Sequence, residues 1–362
     1  MENKIKIAFL ISTLDVGGAE RQLVNSVNGL DTDKFIPKIF VLKNRSKILD
    51  QLNSNIDVEF LNVTSYFNFF QITKILHRIK KFNPDILHSV MYASNMIARL
   101  YKLKDNNCKI INHIHGLGTW IKIRHILLDR ILLPLVDLII VVSEESKSLR
   151  LSRELYPKNK VKVIYNSIDT SKYIGIKRIT DKTDEIIFGS AARLIKLKQI
   201  DKILIIIKLL KEKGLKVKYY VAGDGPEFEY LVKYSKDLNL ENEVKFYGNI
   251  CSMESFYSSI DVLILFSKTE DMPLSIVEAF AAGLFVIAPD IGGISELLCN
   301  RDGYLIDPNS SIENISEKIL QLSKIIDFKK VSIKNKETAI NYFDNKIHNK
   351  ILQSTYFYLL NA

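Results

Sequence analysis

Short apolar runs alternate with longer amphipathic stretches along the whole chain, and that rhythm leaves few folds open. The runs "IKIAFLIS", "KIFVLK", "DILHSV", "KIINHIHG" and "DLIIVVS" read as strands buried on both faces, with helical segments between them. Strands and helices in alternation make a parallel sheet with helices covering its faces. A polar, irregular stretch at 169–185, "DTSKYIGIKRITDKTDE", interrupts the pattern. It restarts with "IIFGSAA", "VKYYVAG", "VKFYGN", "DVLILFS", "FVIAPD" and "GYLID". The expected class is α/β with two doubly wound domains, residues 1–168 and 186–335, joined by a linker at 169–185. From Ser310 onward two helical segments are expected, and the last, over 336–362, is long enough to pack back across a domain boundary. Such sheets bind ligands at the carboxyl ends of their strands, so two facing domains would share a cleft there.

Length agrees with two domains, because cores tend to split at roughly 150–250 residues and this chain has 362. A hydrophobic fraction of 47% with 25% charged residues is globular composition and excludes a disordered chain. Cys108, Cys251 and Cys299 are far apart, odd in number and without metal-ligand spacing, which favours free thiols in a reducing, cytoplasmic setting. The first apolar run is followed at once by Asp15 and Gly17-Gly18, so it reads as a buried strand and not as a signal peptide. No window reaches the ~20 apolar residues of a spanning helix. The net charge of +10 lies unevenly: residues 1–170 hold 25 Lys/Arg against 16 Asp/Glu, residues 171–362 hold 26 against 25. A basic first half suggests an anionic partner, either nucleic acid or a membrane surface.

Several motifs fall at the expected strand ends. Gly17 and Gly18 open a helix whose first amides could face a phosphate or a sugar hydroxyl, or simply make a tight turn. No dinucleotide fingerprint and no Walker loop occurs, which removes most support for nicotinamide and Walker-type chemistry. Arg193 and Lys198 follow a strand five positions apart, a pair suited to a diphosphate or to a solvated basic loop. The turn from Gly223 to Pro226 could offer a nucleobase a backbone pocket, though alone it is punctuation.

The stretch "FSKTEDMPLSIVEAFAAG" reads as a strand end, a loop, and a helix begun by Pro273 and ended near Gly283. Glu270 then lies on the loop and could reach a sugar. The first amides of the helix, near Leu274 and Ser275, favour negative charge, and Glu278 could accept from ribose hydroxyls or sit on a solvated face. His115 ends one first-domain strand and His88 another; a structural role rivals a functional one at each. Two segments are basic and amphipathic. In 119–133, Trp120, Ile123, Leu127, Leu128 and Ile131 share one helical face, opposite Lys122, His125, Asp129 and Arg130. In 65–82, Phe67, Phe69 and Phe70 lie beside a Lys/Arg cluster. A core-facing helix or a membrane-surface helix explains either one.

In this order, Arg193, Lys198, the Gly223–Pro226 turn, Glu270, Glu278 and "DIGGISEL" resemble a family-4 glycosyltransferase of the GT-B fold, two Rossmann-like domains facing a central cleft. "GGAER" at 17–21 and "VKVIYNSID" at 161–169 extend the likeness over nearly the whole chain. The resemblance implies transfer of a sugar from a nucleotide donor with retention of configuration, with no metal and no other cofactor. It puts Arg193 and Lys198 on the donor diphosphate, Glu278 on the ribose, Glu270 on the donor sugar and His115 near the reacting centre. It also implies front-face displacement, in which the leaving phosphate helps deprotonate the acceptor. Three positions depart from the family pattern: Gln199 and Ser167 stand where Gly is usual, and Asp271 replaces the Gly after the first glutamate.

The expectation is a hexosyl- or N-acetylhexosaminyltransferase using a UDP-sugar and an undecaprenyl-linked or other lipid-linked glycan acceptor, in capsule, O-antigen or related surface-glycan synthesis. It would work in the cytoplasm, docked on the anionic inner face of the cell membrane. A sugar-nucleotide epimerase of similar architecture is the rival enzyme. A non-catalytic nucleotide-sugar or nucleic-acid binder is the rival outside catalysis, but no nucleic-acid recognition module is present and nucleic acid is not an expected partner.

Overall fold

The computed structural model describes residues 4–66, 68–118, 122–176, 185–250, 252–299 and 301–361. Phe67, Trp120 and Cys251, singled out above, lie outside the described residues. The chain divides into two units: Met1–Ser167 with Asn345–Ala362, and Ile168–Asp344. Each is built on one parallel sheet, so the class is α/β with two Rossmann-like halves.

The first unit holds β1 (Ile5–Ile11), β2 (Phe35–Val41), β3 (Asp57–Phe60), β4 (Ile86–Val90), β5 (Lys109–Ile114), β6 (Leu138–Val141) and β7 (Val161–Val163). Their order across the sheet is β3-β2-β1-β4-β5-β6-β7. Helices α1 (Gly18–Asn28), α2 (Phe69–Phe82), α3 (Tyr92–Lys104), α4 (Ile123–Leu132) and α5 (Glu144–Ser152) connect them. Alternation along β1 feeds both faces: Ile7, Phe9 and Ile11 join one core, Ala8 and Leu10 the other. Each fully buried aliphatic of this kind contributes about 1.5–3 kcal/mol over its exposed state. The strands β3 and β7 were not among the apolar runs that announce the sheet. They are its two edges, and an edge strand of three or four residues needs no continuous apolar run.

The second unit adds α6 (Ser171–Ile174), β8 (Ile186–Ala191), α7 (Ile200–Glu212), β9 (Val217–Ala222), α8 (Phe228–Asp237) and β10 (Val244–Gly248). It continues with α9 (Met253–Ser258), β11 (Val262–Ile264), α10 (Leu274–Ala282), β12 (Phe285–Pro289), α11 (Ile294–Leu298) and β13 (Gly303–Ile306). Two helices, α12 (Ile312–Ser323) and α13 (Phe328–Phe343), close it. The sheet order is β10-β9-β8-β11-β12-β13. Helix α7 buries Ile200, Ile203, Leu204, Ile207 and Leu210, a three-and-four spacing that lays one stripe on the sheet.

The segment over 336–362, expected as one helix, contains the end of α13 and a separate α14 (Asn345–Asn361). Asp344 has extended backbone (φ −73°, ψ 141°) because it bridges Ile168 as a strand would, and its carboxylate accepts from the Thr170 hydroxyl. Three helices therefore follow Ser310, not two. Leu352, Tyr356 and Leu359 of α14 belong to the β1-side core of the first unit.

Of the two readings left open for 119–133, the described residues of α4 (Ile123–Leu132) do not fit the core-facing one. Ile123 and Ile131 are 76% and 73% exposed, Leu127 and Leu128 are exposed too, and the inward positions are Ile126 and Asp129. Asp129, placed by periodicity on the polar face, is buried against the Arg99 guanidinium, whose Nε also donates to Asn112 Oδ1 at 2.8 Å. The buried charge pair decides the helix's orientation, since an unpaired ion there is far more costly than an exposed leucine. Among the described residues, no helix is long and apolar enough to cross a membrane.

Removing one partner of that pair strands the other charge, so Asp129→Ala should destabilise the first unit by about 3–5 kcal/mol. Replacing both together, Arg99→Met with Asp129→Leu, should cost clearly less. Thermal unfolding of the two variants checks the order; equal losses would mean that the pair does not hold α4.

Candidate functional site

In the second unit the loops after β8, β9 and β11 are tied together by backbone hydrogen bonds. Ala192 N donates to Ala222 O at 3.0 Å, Leu194 N to Asp224 O at 2.9 Å, and Lys268 N to Leu197 O at 2.8 Å. The β8 and β9 loops approach so closely that a Cβ on Gly223 (φ +133°) would lie 1.9 Å from Ala192 O. Glycine is therefore required at this position, both for its backbone angle and for the contact.

Arg193 lies in the loop after β8, exposed, and its side chain makes no hydrogen bond or ion pair among the described residues. Lys198 ends a short turn, Lys196–Lys198, and its ammonium pairs with the Glu270 carboxylate. Glu270 also accepts from Ser267 Oγ at 2.7 Å. The Lys198–Glu270 pair thus joins the loop after β8 to the loop after β11. Gln199, at the usual Gly position, adopts the left-handed conformation (φ +48°, ψ 42°) that glycine takes at least cost, and α7 starts directly after it.

Helix α10 follows Pro273 (φ −70°, ψ 122°) and stops at Gly283 (φ +78°), so its bounds agree with the sequence reading. No side chain caps its first turn, where Leu274 and Ser275 lie. Glu278 is on the same helix but not on a solvated face: it is 4% exposed and accepts from the Tyr257 hydroxyl at 2.7 Å. Tyr257 is a site neighbour that the sequence did not single out; an apolar helix carrying one carboxylate requires a buried donor, but nothing in the spacing says which. Asp271 is likewise buried.

In the first unit α1 starts at Gly18 with Gly17 as an extended cap residue and no side-chain cap. A Cβ on Gly18 would touch nothing within 4 Å, whereas one on Gly17 would meet the Glu20 carboxylate. Glu20, in the first turn of α1, was not singled out either. Burial raises its pKa, and a hydrogen bond from Thr13 Oγ1 at 3.2 Å opposes the rise. Ser167, at the second usual Gly position, is built in: its amide donates to Gln22 Oε1 at 2.7 Å and its hydroxyl to Asn345 Oδ1 at 2.8 Å.

His115 lies one residue past β5, partly exposed, with its ring 4.2 Å from that of His113. His88 is inside β4, not at its end, and 1% exposed. Burial, then the nearby charges of His115 and His348, pulls His88 down to about 3. Burial and then His348 pull His115 down to about 3 as well. His348 of α14, buried among Gln22, Ser26 and the Tyr165 carbonyl, is lowered to about 4 by burial.

Two family models match the chain: Glycosyltransferase Family 4 over residues 16–172 and Glycosyl transferases group 1 over 175–338. The O-antigen biosynthesis glycosyltransferase WclY of Escherichia coli is 28% identical over 81% of this chain and 82% of its own. The Campylobacter jejuni GalNAc-alpha-(1->4)-GalNAc-alpha-(1->3)-diNAcBac-PP-undecaprenol alpha-1,4-N-acetyl-D-galactosaminyltransferase is 26% identical over 94% of this chain and 95% of its own. Among solved structures, HepE of Anabaena in complex with UDP superposes with a TM-score of 0.80 at 19% identity, covering 97% of this chain and 99% of that one.

His88, His113 and His348 are all held below the ordinary histidine value of 6.5. As pH falls below that value, the unfolded chain binds protons that the folded one refuses, so stability is lost from about pH 6.5 downward. Each histidine contributes up to about 1.4 kcal/mol per pH unit. Urea midpoints measured from pH 7 to pH 5 should fall less steeply for His348→Asn than for the unaltered chain. Identical slopes would contradict a neutral, buried His348.

Proposed function

Because the chain belongs to glycosyltransferase family 4 and has the GT-B fold, we propose that it moves a hexose or N-acetylhexosamine from a UDP-sugar to a lipid-linked oligosaccharide in bacterial surface-glycan synthesis, with retention and without a metal. The observation that carries the reading is the arrangement at the strand ends of the second unit. An exposed Arg193 with an unpaired side chain lies five residues before Lys198 in the loop after β8, Lys198 pairs with Glu270, and α10 begins shortly after Glu270 in sequence with no side-chain cap. Departure of a nucleoside diphosphate develops negative charge, and fixed cations with helix amides can stabilise it where other enzymes use Mg²⁺.

In this reading Arg193 binds the diphosphate bidentately and Lys198 supplies a point charge. An incoming diphosphate competes with Glu270 for the Lys198 ammonium, which frees the Glu270 carboxylate for a sugar hydroxyl. Leu274 and Ser275 contribute the α10 amides, Gly223 lets the loops after β8 and β9 close into a backbone edge for the base, and Glu278, held by Tyr257, accepts from the ribose. Gly17 and Gly18 offer the amides of α1. His115 belongs to the reacting centre. The sugar's bond to the diphosphate oxygen breaks as the acceptor oxygen bonds the same carbon from the same face, and the acceptor proton passes to the departing phosphate.

The UDP preference is supported by the bound UDP of the HepE complex, and the lipid-linked acceptor by the undecaprenol glycan in the name of the Campylobacter relative. The membrane is the partner that fits α4 and the start of α2. Ile123, Leu127, Leu128 and Ile131 lie exposed with Arg124 and Arg130, and Phe69 and Phe70 are 73% and 83% exposed ahead of Lys74 and Lys81. Apolar side chains beside basic ones suit an anionic bilayer surface.

Saturation-transfer NMR against UDP-, GDP-, ADP- and dTDP-sugars, without metal and then with Mg²⁺, tests the donor. Metal-independent binding of a UDP-sugar is expected, and Arg193→Ala should lower turnover on the order of 100-fold. Unchanged kinetics in Arg193→Ala and Glu278→Ala would remove the site assignment, and acceptor-free epimerisation of the donor would replace transfer as the reaction. Sedimentation with phosphatidylglycerol vesicles tests the surface: binding should exceed that to neutral vesicles and weaken in Phe70→Ser and Ile131→Ser. Equal retention on both vesicles would dismiss membrane docking.

A further inference from the structure

Four rings stand in a row in the first unit: Tyr356 on α14, His88 in β4, His113 in β5 and His115 just beyond it. The Tyr356 hydroxyl is 2.7 Å from His88 Nδ1, and His88 Nε2 is 3.2 Å from His113 Nδ1. The His113 ring then packs against that of His115 in a tilted contact, the centroids 4.2 Å apart and the planes 34° apart. His113 Nε2 is buried and has no hydrogen-bond partner.

Hydrogen-bond accounting fixes the protons. Tyr356 is fully buried, and its hydroxyl meets no polar group other than His88 among the described residues. With its proton pointing at His88 Nδ1 the row leaves one ring nitrogen unmatched, His113 Nε2, whereas the reversed order would leave both that nitrogen and the Tyr356 O–H unmatched, at about 1–3 kcal/mol for the hydroxyl. His88 therefore carries its proton on Nε2 and donates it to His113 Nδ1, and His113 in turn carries its own on Nε2. Each ring is neutral, oriented and unable to flip without breaking a bond. His115, by contrast, makes no hydrogen bond among the described residues, and the His113 ring is its only ring contact there. The turn after it is held separately: Arg150, buried in an ion pair with Glu154, donates to the Gly116 carbonyl at 3.0 Å where the backbone adopts φ +102°.

We propose that Tyr356, His88 and His113 are positioning residues for His115, the hydroxyl of the last helix fixing both buried rings and the ring of His113 fixing the plane of His115. The proposal rests on the assignment of His115 to the reacting centre, and it makes α14 a part of the machinery and not only a brace. A flat neutral ring held against a flat neutral ring sets orientation without adding charge near an anionic donor, whereas a free imidazole samples several rotamers.

Tyr356→Phe removes one oxygen and keeps the ring, and His113→Asn keeps a partner for His88 and removes the ring packed on His115. Long-range ¹H–¹⁵N spectra of the histidine-labelled full chain should place the His88 and His113 protons on Nε2. In Tyr356→Phe both tautomers should shift, and the His115 signals should move in each variant. With donor and acceptor supplied, kcat should fall at least about tenfold while the donor KM stays unchanged. His115 signals and kcat unaltered in both folded variants would overturn the proposal, as would a loss of kcat that only tracks a loss of folded protein. A His115→Ala chain with full kcat would overturn it too, by removing the residue that the row serves. If the unaltered chain binds and transfers no nucleotide sugar, the functional reading above fails instead, and the ring spectra still report whether the row orders His115.

Discussion

Parallel strands cannot be joined by a tight turn, and every backbone group between them must find its partner in a neighbour that runs the same way. Connections within each unit therefore cross a face of the sheet, usually as a helix, and the thirteen strands among the described residues stay in parallel ladders. Two consequences follow for the chemistry. Strand interiors become largely apolar, the polar exceptions in β4 and β5 being buried in hydrogen bonds, and the cations of the candidate site lie in loops at the strands' carboxyl ends. Arg193, Lys198, Gly223, Glu270 and His115 all lie in such loops.

The second controlling detail is local. At Asp344 the helical chain gives way to one extended residue that bridges Ile168, and the helix that follows packs with β1 and α1. Without that break α13 would continue, and neither His348 nor Tyr356 would reach the first unit. The two ends of that unit's sequence thus build one buried polar network: Gln22 and Ser26 from α1, Ser167 and Tyr165 before the second unit, and Asn345 and His348 after it. Buried polar groups bonded to one another in this way specify one arrangement of α14 where apolar packing alone would allow several.

Charge is handled in opposite ways in the two units. Around β4 and β5 burial suppresses protonation, so that a row of histidines is neutral and contributes shape and hydrogen bonds. At the strand ends of the second unit the cations remain at the surface, one unpaired and one neutralised by a carboxylate that a stronger anion can displace. Under the proposed function, a neutral ring in the first unit and a cationic clamp in the second are compatible demands of a reaction in which a sugar leaves a diphosphate for a hydroxyl.

The apolar runs by themselves determined the fold class, the restart near residue 186 and the bounds of α10, because a strand buried on both faces leaves an unbroken signal and because proline and glycine punctuate a helix at fixed places. The positions of Arg193, Lys198 and Glu270 after strands were equally legible. Edge strands β3 and β7 were not, since half of an edge strand faces solvent. The inward face of α4 was not legible either: hydrophobic periodicity ranked four exposed aliphatics above Asp129, and only Arg99, thirty residues away, reverses that ranking. The break at Asp344, the Tyr257 donor to Glu278 and the row from Tyr356 to His115 were decided by tertiary structure alone. Each depends on a partner between 21 and 268 residues distant, and a one-dimensional pattern carries no record of which groups a fold will bury side by side.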